Sequence, residues 1–482
     1  MTFVLALDQG TSATKAIVVD ADGKIHGVAE VPVRVVADIA GGVEVNPEEL
    51  LQSVIDAGHQ ALAACGNPPL SAVGLANQGE TIVAWSRSTG VVQHNAIVWQ
   101  DRRSVDVCRG IGDRAAEVER ITGMTVDPYF VAPKIAWLAP RLDNAAADTV
   151  ITTSDVWLLN QLCGTFSTDV STASRTLLTD LDSLQWSSTC LEIFGIDVSN
   201  LPAIHDNDAL LGSTTRFGGN VPVVGTCVDQ QAALFAEGCH AIGEMKCTYG
   251  TGAFLLANAG TLPRRSNAGL TPCAAWRLAG KTSWCLDGQV YTVGSAVSWL
   301  MEIGVLNSPE EIDVLCATVT DTNGAIFVPA LAGLAAPWWQ PTATGRLVGL
   351  TMSTTRAHLV RATLVGIAAQ VALLTRAATQ DLAGSAQVLK VDGGLTRSAS
   401  LLQLQADLAQ CPVQPYPSPH ATALGIAEMS LHALGALPRD VHLSSALQRL
   451  DPVEPKMSSD EAESVLANWS AVAEQSIREA RA

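Results

Sequence analysis

The chain has 482 residues, with 29 lysines and arginines against 47 aspartates and glutamates, so its formal charge of −18 offers no basic field to nucleic acid or an anionic membrane. Charged residues make up only 16% and hydrophobic residues 48%, which excludes a disordered chain and predicts a globule large enough, at roughly 150 residues per domain, for two big lobes. Eleven cysteines form no CxxC pair, and the adjacent Cys239 and His240 lack a second spaced pair, so neither a disulfide framework nor a structural metal is expected.

The apolar run Phe3 to Leu7 ends at Asp8 and has no basic flank, which argues against a signal peptide and for a cytoplasmic protein. This run reads as a strand, followed by a Gly-Thr-Ser turn, a strand over Ala16 to Val19, an Asp22-Gly23 turn and a strand over Ile25 to Glu30. That is an antiparallel meander. Asn46 can cap, and Pro47 can start, a helix with Leu50, Leu51, Val54, Ile55 and Leu62 on its apolar side; a strand over Ala72 to Ala76 follows. Three strands, a helix and another strand make an α/β domain with a mixed sheet. A comparable series begins near Lys246, where apolar strand, glycine turn and apolar strand recur, so the chain reads as built twice. The boundary is expected near Glu237, giving domains 1–237 and 238–482. The uncharged run Ala325 to Gly345 holds Pro329, Gly333, Pro337 and Pro341, and reads as buried loop and strand rather than a membrane span. Within and beyond it come a strand over Ile326 to Val328, a helix from His358 to about Leu382 that is apolar nearly all round, and a strand over Val388 to Val391 leading into Asp392-Gly393-Gly394.

Five segments carry chemistry. Asp8-Gln9-Gly10-Thr11-Ser12 with Lys15 sets backbone N–H groups, hydroxyls and a carboxylate able to hold hydrated Mg²⁺ at the end of a strand, although a plain hairpin turn needs the same residues. Tyr249-Gly250-Thr251-Gly252 repeats that turn in the second half, so two facing turns would clamp a nucleotide between lobes. Val391 to Thr396 runs through glycines that let a base or a phosphate come close to bare backbone. Asp229 opens a helix after the strand Val221 to Gly225; it reads either as a helix cap or as the general base for a hydroxyl attacking a γ-phosphoryl group. Asn77 to Thr81 and Asn95 to Arg103 offer Glu80 as a hydrogen-bond partner and Trp99 as an aromatic wall for a polyhydroxylated ligand, against the plainer readings of a loop acid and a core tryptophan.

These blocks resemble the FGGY carbohydrate kinases, the glycerol kinases above all, in colinear order over nearly the whole chain: Ala6 to Ser12, Asn95 to Gln100, Asp127 to Phe130, Ser174 to Thr176, Asp229 to Phe235, Thr248 to Phe254, Pro329 to Gly345 and Val391 to Gly394. The resemblance implies two actin-like, ribonuclease H-like α/β domains closing over Mg·ATP, and transfer of the γ-phosphoryl group to a hydroxyl of a small polyol or sugar, with glycerol the default. It makes Asp229 the base and Asp8 the Mg²⁺-associated carboxylate. Thr11, Ser12, Lys15, Thr251, Gly294 and Gly394 would surround ATP, and Glu80, Trp99, Tyr129, Asp229, Gln230 and Phe254 would line the polyol pocket. A homodimer or tetramer is also implied.

Four departures stand out. Gly79 occupies the place of an arginine that binds glycerol hydroxyls in glycerol kinases, which predicts empty space and a C4–C5 polyol or ketose as the rival substrate. Val228 replaces a glycine before the base, and Ser398 an asparagine near the adenine side. The short, uncharged segment Phe217 to Val221 stands where kinases inhibited by fructose 1,6-bisphosphate carry a basic glycine-rich loop, so that inhibition is expected to be absent. An actin-like ATP switch acting on proteins remains the reading from another class, and a catalytically dead polyol sensor a third.

Overall fold

A computed structural model of the chain describes residues 2–38, 41–142, 146–384, 387–448 and 450–481. Three strands, Phe3–Gln9, Ala13–Asp20 and Ile25–Pro32, form the antiparallel meander, each longer than its predicted run; in the first two, polar residues such as Asp8 and Lys15 continue the ladder opposite one another. The first strand runs parallel to Ala72–Asn77, which runs parallel to Val221–Val228, with Leu210–Thr214 antiparallel at the edge. The result is a six-stranded mixed sheet. The helix Pro47–Ala64 begins as its sequence dictates: Asn46 Oδ1 accepts the Glu48 N–H at 2.9 Å, and Leu50, Val54, Ala57 and Ala61 bury its inner face.

The strand Val221–Val228 passes the predicted end at Gly225 by means of an irregularity in the ladder, where Gly225 takes φ of +81°. This extension carries the backbone to the sheet's edge and sets the helix Asp229–Ala236 there.

The second half repeats the pattern. Met245–Tyr249, Ala253–Gly260 and Lys281–Val290 form an antiparallel meander, extended by Thr271–Leu278, and Met245–Tyr249 runs parallel to Leu389–Asp392, itself parallel to Val413–Pro415. Two sheets with one strand plan, helices on their faces and a cleft between them make the doubled α/β, actin-like architecture. The helix Arg356–Asp381 is long and apolar enough to cross a membrane, but 72% of its most apolar stretch is buried inside the protein, against the strand Ile326–Val328 and the helix Ala399–Ala409. The glycines after Asp392 lead into one short 3-10 turn, Gly394–Arg397, before that last helix starts on its Ser398 cap.

The helix Ala421–Ala433 lies across the plan. It belongs to the second half in sequence, yet packs on the first sheet and against the helix Asp229–Ala236. The two helices approach so closely at Gly425 that a Cβ there would collide with the carbonyl of Ala232.

Candidate active site

Two cavities open in the cleft and share a rim. The smaller, of about 260 Å³, is lined by Asp8, Thr11, Ser12, Lys15, Glu80, Trp99, Tyr129, Asp229, Gln230, Thr251, Phe254 and Gly394. The larger, of about 760 Å³, is lined by Gly294, Trp299 and Ser398, and again by Ser12, Thr251 and Gly394. Every residue singled out from the sequence therefore borders one of these two spaces, Gly294 only the larger. The turns Gln9 to Ala13 and Tyr249 to Ala253 face each other across the shared rim, each at the junction of two antiparallel strands. Gly393, at φ +95°, has no room for a Cβ against Tyr249, which brings the third glycine segment up against the second turn.

Asp229 follows directly on the strand's last residue, and its Oδ1 accepts the N–H of Gln230 at 2.7 Å. The helix cap is Val228, not Asp229, so the Asp229 carboxylate engages the next N–H of its helix and faces the cavity. Burial pushes its pKa up to about 7; the nearby charge of Asp8 raises it and Lys246 lowers it. Asp8 is raised to about 6, again chiefly by burial, with Lys15 opposing and Asp392 adding. A carboxylate held near neutrality is suited to accepting a proton at physiological pH.

At the other end, the Trp99 indole N–H donates to Thr11 Oγ1 at 2.9 Å, and its ring meets Phe254 and Tyr129 edge-on at 5.4 and 6.0 Å between centroids. Trp99 is a pocket wall tied by this hydrogen bond to the turn Gln9 to Ala13. Glu80 is buried at 3% exposure, not a solvated loop acid, and adopts φ of +59°.

Glu80 owes its burial to Arg175, which sequence reasoning quoted inside a motif but gave no role. The Arg175 guanidinium pairs with both Glu80 and Asp287 and donates to the Tyr129 hydroxyl at 3.2 Å. Desolvation raises the pKa of Glu80 and of Asp287, while the guanidinium opposes it in both. Lys246, which donates to Gln230 Oε1 at 2.6 Å and Thr248 Oγ1 at 2.7 Å, and Asp392 at the cavity wall are further residues the sequence left unassigned. Lys134, buried and pushed down to about 8, holds the Tyr129 and Phe130 carbonyls and so fixes the loop that presents Tyr129.

Gly79 lines the smaller cavity but is crowded on one side. A Cβ at this position would lie 3.2 Å from Val228 Cγ1 and 4.0 Å from Arg175 Nε. The valine that precedes Asp229 thus narrows the space beside the glycine, and a guanidinium from another segment stands near it.

Residues 3–236 match the N-terminal domain of the FGGY family of carbohydrate kinases, and residues 245–434 match its C-terminal domain. The chain is 40% identical to a glycerol kinase of Alkalilimnicola ehrlichii, covering 97% of each chain, and 40% identical to one of Thermus brockianus, covering 91% of each. Its structure is similar to that of Plasmodium falciparum glycerol kinase with ADP, at a TM-score of 0.87 and 30% identity over 99% of this chain and 98% of that one. A xylulose kinase of Lactobacillus acidophilus shares the fold at a TM-score of 0.86 and 19% identity, over 98% of both chains. With both domains matched in order and relatives aligned almost end to end, the chain belongs to the FGGY family of carbohydrate kinases.

Proposed function

We propose that this kinase transfers the γ-phosphoryl group of ATP to a terminal hydroxyl of glycerol. The observation that carries the reading is the shared rim: a nucleotide whose base occupies the larger cavity would run its phosphates between the two turns toward Asp229, with the polyol behind it against Trp99 and Phe254. Asp229 takes the hydroxyl proton as the oxygen attacks, and Lys15, Thr11, Ser12 and Thr251 supply donors to the phosphate oxygens. Glu80 and Gln230 orient the substrate hydroxyls, and Trp99, Tyr129 and Phe254 cover its carbon skeleton and exclude water.

The donor set fits Mg²⁺: three carboxylates, Asp8, Asp229 and Asp392, face one cleft, and Asp392 Oδ1 is buried with no hydrogen-bond partner among the described residues. Asp8, helped by Asp392, would hold the ion, which supplies charge neutralisation at the β- and γ-phosphates. Val228 and the Arg175 guanidinium narrow the space beside Gly79, which favours glycerol over a longer polyol or ketose. Residues 1–237 provide the base and polyol wall in this reading and residues 238–482 most of the ATP side, in a cytoplasmic homo-oligomer that binds neither nucleic acid nor membrane.

The test is ADP release from Mg·ATP against glycerol, erythritol, threitol, ribitol, xylitol, xylulose and ribulose, with the phosphorylated product confirmed by mass. Selective turnover of glycerol is expected, lost in Asp229→Asn while ATP binding persists. Selective turnover of a ketose would overturn the substrate, and retained turnover in the variant would overturn the base.

A further inference from the structure

A cavity of about 880 Å³ lies away from the cleft and is lined by His240, Lys390, Tyr416 and His442 among others. At its wall three elements converge. His240 stands just beyond the helix Asp229–Ala236, Glu428 in the middle of the crossing helix Ala421–Ala433, and His442 in the segment that follows that helix. Glu428 is wholly buried, and its carboxylate is held on both oxygens: Oε1 by His442 Nδ1 at 2.6 Å and Oε2 by the Leu443 N–H at 3.0 Å. The His240 and His442 rings stack at 3.9 Å with only 20° between their planes. One ligand atom from each of His240, Glu428 and His442 can be chosen so that all lie within 4.8 Å of one another.

Part of this cluster is unsatisfied. His240 Nε2 is buried without a hydrogen-bond partner among the described residues. A hydrogen-bonded core would not leave such an atom facing two potential ligands. Nearby, His432 Nε2–H donates to the Val441 carbonyl at 3.0 Å, which leaves its buried Nδ1 with a lone pair and no partner. Phe235 lies against all three imidazoles, with ring centroids 4.9 Å from His240, 5.8 Å from His442 and 6.0 Å from His432, and supplies an apolar shell.

We propose that His240, Glu428 and His442 bind one divalent transition-metal ion of the Zn²⁺ class. Two imidazoles and one carboxylate are an N,O donor set for Zn²⁺, and the imidazoles would turn out of their stack to bring the three atoms from their present spacing to the roughly 2.0–2.2 Å bond lengths that the ion requires. The ion replaces the hydrogen bond between His442 and Glu428, and any proton it displaces goes to solvent. The cavity is its entry path, and the Leu443 N–H holds the carboxylate in place for it. The ion would join the end of one crossing helix to the middle of the other, so its effect is read in stability rather than in phosphoryl transfer.

The experiment uses the full chain, without a histidine tag, stripped with a chelator and dialysed against Zn²⁺ in excess Mg²⁺, with bound metal counted by mass spectrometry. Co²⁺ serves as a coloured probe of the site. One equivalent of Zn²⁺ is expected, with visible Co²⁺ bands and a rise in the thermal midpoint; all three are lost, with at least tenfold weaker binding, in His240→Ala and separately in His442→Ala. Each variant's own cooperative thermal transition in chelator shows that it folds and serves as its baseline, because His442→Ala also removes a hydrogen bond from the buried Glu428. Binding that survives both changes and disappears in Asp8→Asn assigns the metal to the active-site carboxylates and overturns the proposal, as does the absence of binding at micromolar Zn²⁺.

Discussion

Replacing Arg175 with Met removes the only cation that pairs with both Glu80 and Asp287 among the described residues, and it leaves two buried carboxylates facing each other without it. Breaking a buried ion pair from one side costs about 3–5 kcal/mol, and because both acids share one guanidinium the two losses do not add. The expected loss of stability at pH 8 is therefore about 3–5 kcal/mol, a change of two to four orders of magnitude in the folded-to-unfolded ratio. The deficit depends on pH with a definite sign. Both acids already have raised pKa values from desolvation, and losing the guanidinium raises them further, so the folded variant binds protons that its unfolded chain does not. Stability from these groups is then present at low pH and lost as pH rises through their folded values. Urea unfolding of wild type and variant from pH 5.5 to 8 should show the gap widening with pH. A deficit below about 1 kcal/mol, or one that does not change over this range, would refute the account of Arg175 as the buried counter-charge.

The remaining predictions concern activity. The base must be ionised, and Asp229 is held at about 7, so kcat/KM for glycerol at fixed Mg·ATP should fall about tenfold per pH unit below neutrality, more steeply once Asp8 protonates near 6; a flat profile from pH 8 to 5.5 would contradict it. Gly79→Arg alone should raise KM for glycerol, because the new Cβ meets Val228 at 3.2 Å, whereas the pair G79R/V228G should bring KM down at least about tenfold from the single variant. Equal KM values in the two variants would mean that Val228 does not occupy the arginine's room. Activity titrated with fructose 1,6-bisphosphate should not change, since the turn at Gly218 and Gly219 carries no charge to hold a bisphosphate.

How much of this was legible depended on how local the cause was. Asp8, Asp229 and the glycine turns sit where an apolar strand stops, and a strand's end, its turn and the chemistry of that turn all lie within a few consecutive residues. The doubled strand plan was readable for the same reason. At Gly79 the sequence subtracts a side chain but does not say what stands beside it: Val228 crowds the glycine because its strand lies beside Ala72–Asn77, with Asn77 opposite Val228. Arg175 gained its role from Asp287, on a strand of the other half, a pairing with no signal in spacing. The cluster of His240, Glu428 and His442 was missed likewise, since metal-ligand patterns are searched by short intervals and these residues meet only where two helices cross.

That crossing has one more consequence. Most helix contacts are quilted from side chains and tolerate a shift of a fraction of a turn, because rotamers can move to absorb it. Gly425 lies directly on the backbone of Ala232, with no side chain between them to yield. A slip of one residue in the helix Ala421–Ala433 would bring Leu424 or Ile426 to that point and force the helices apart. The contact acts as a keyed joint between the two halves of the chain, and one hydrogen atom in place of a methyl group is the key.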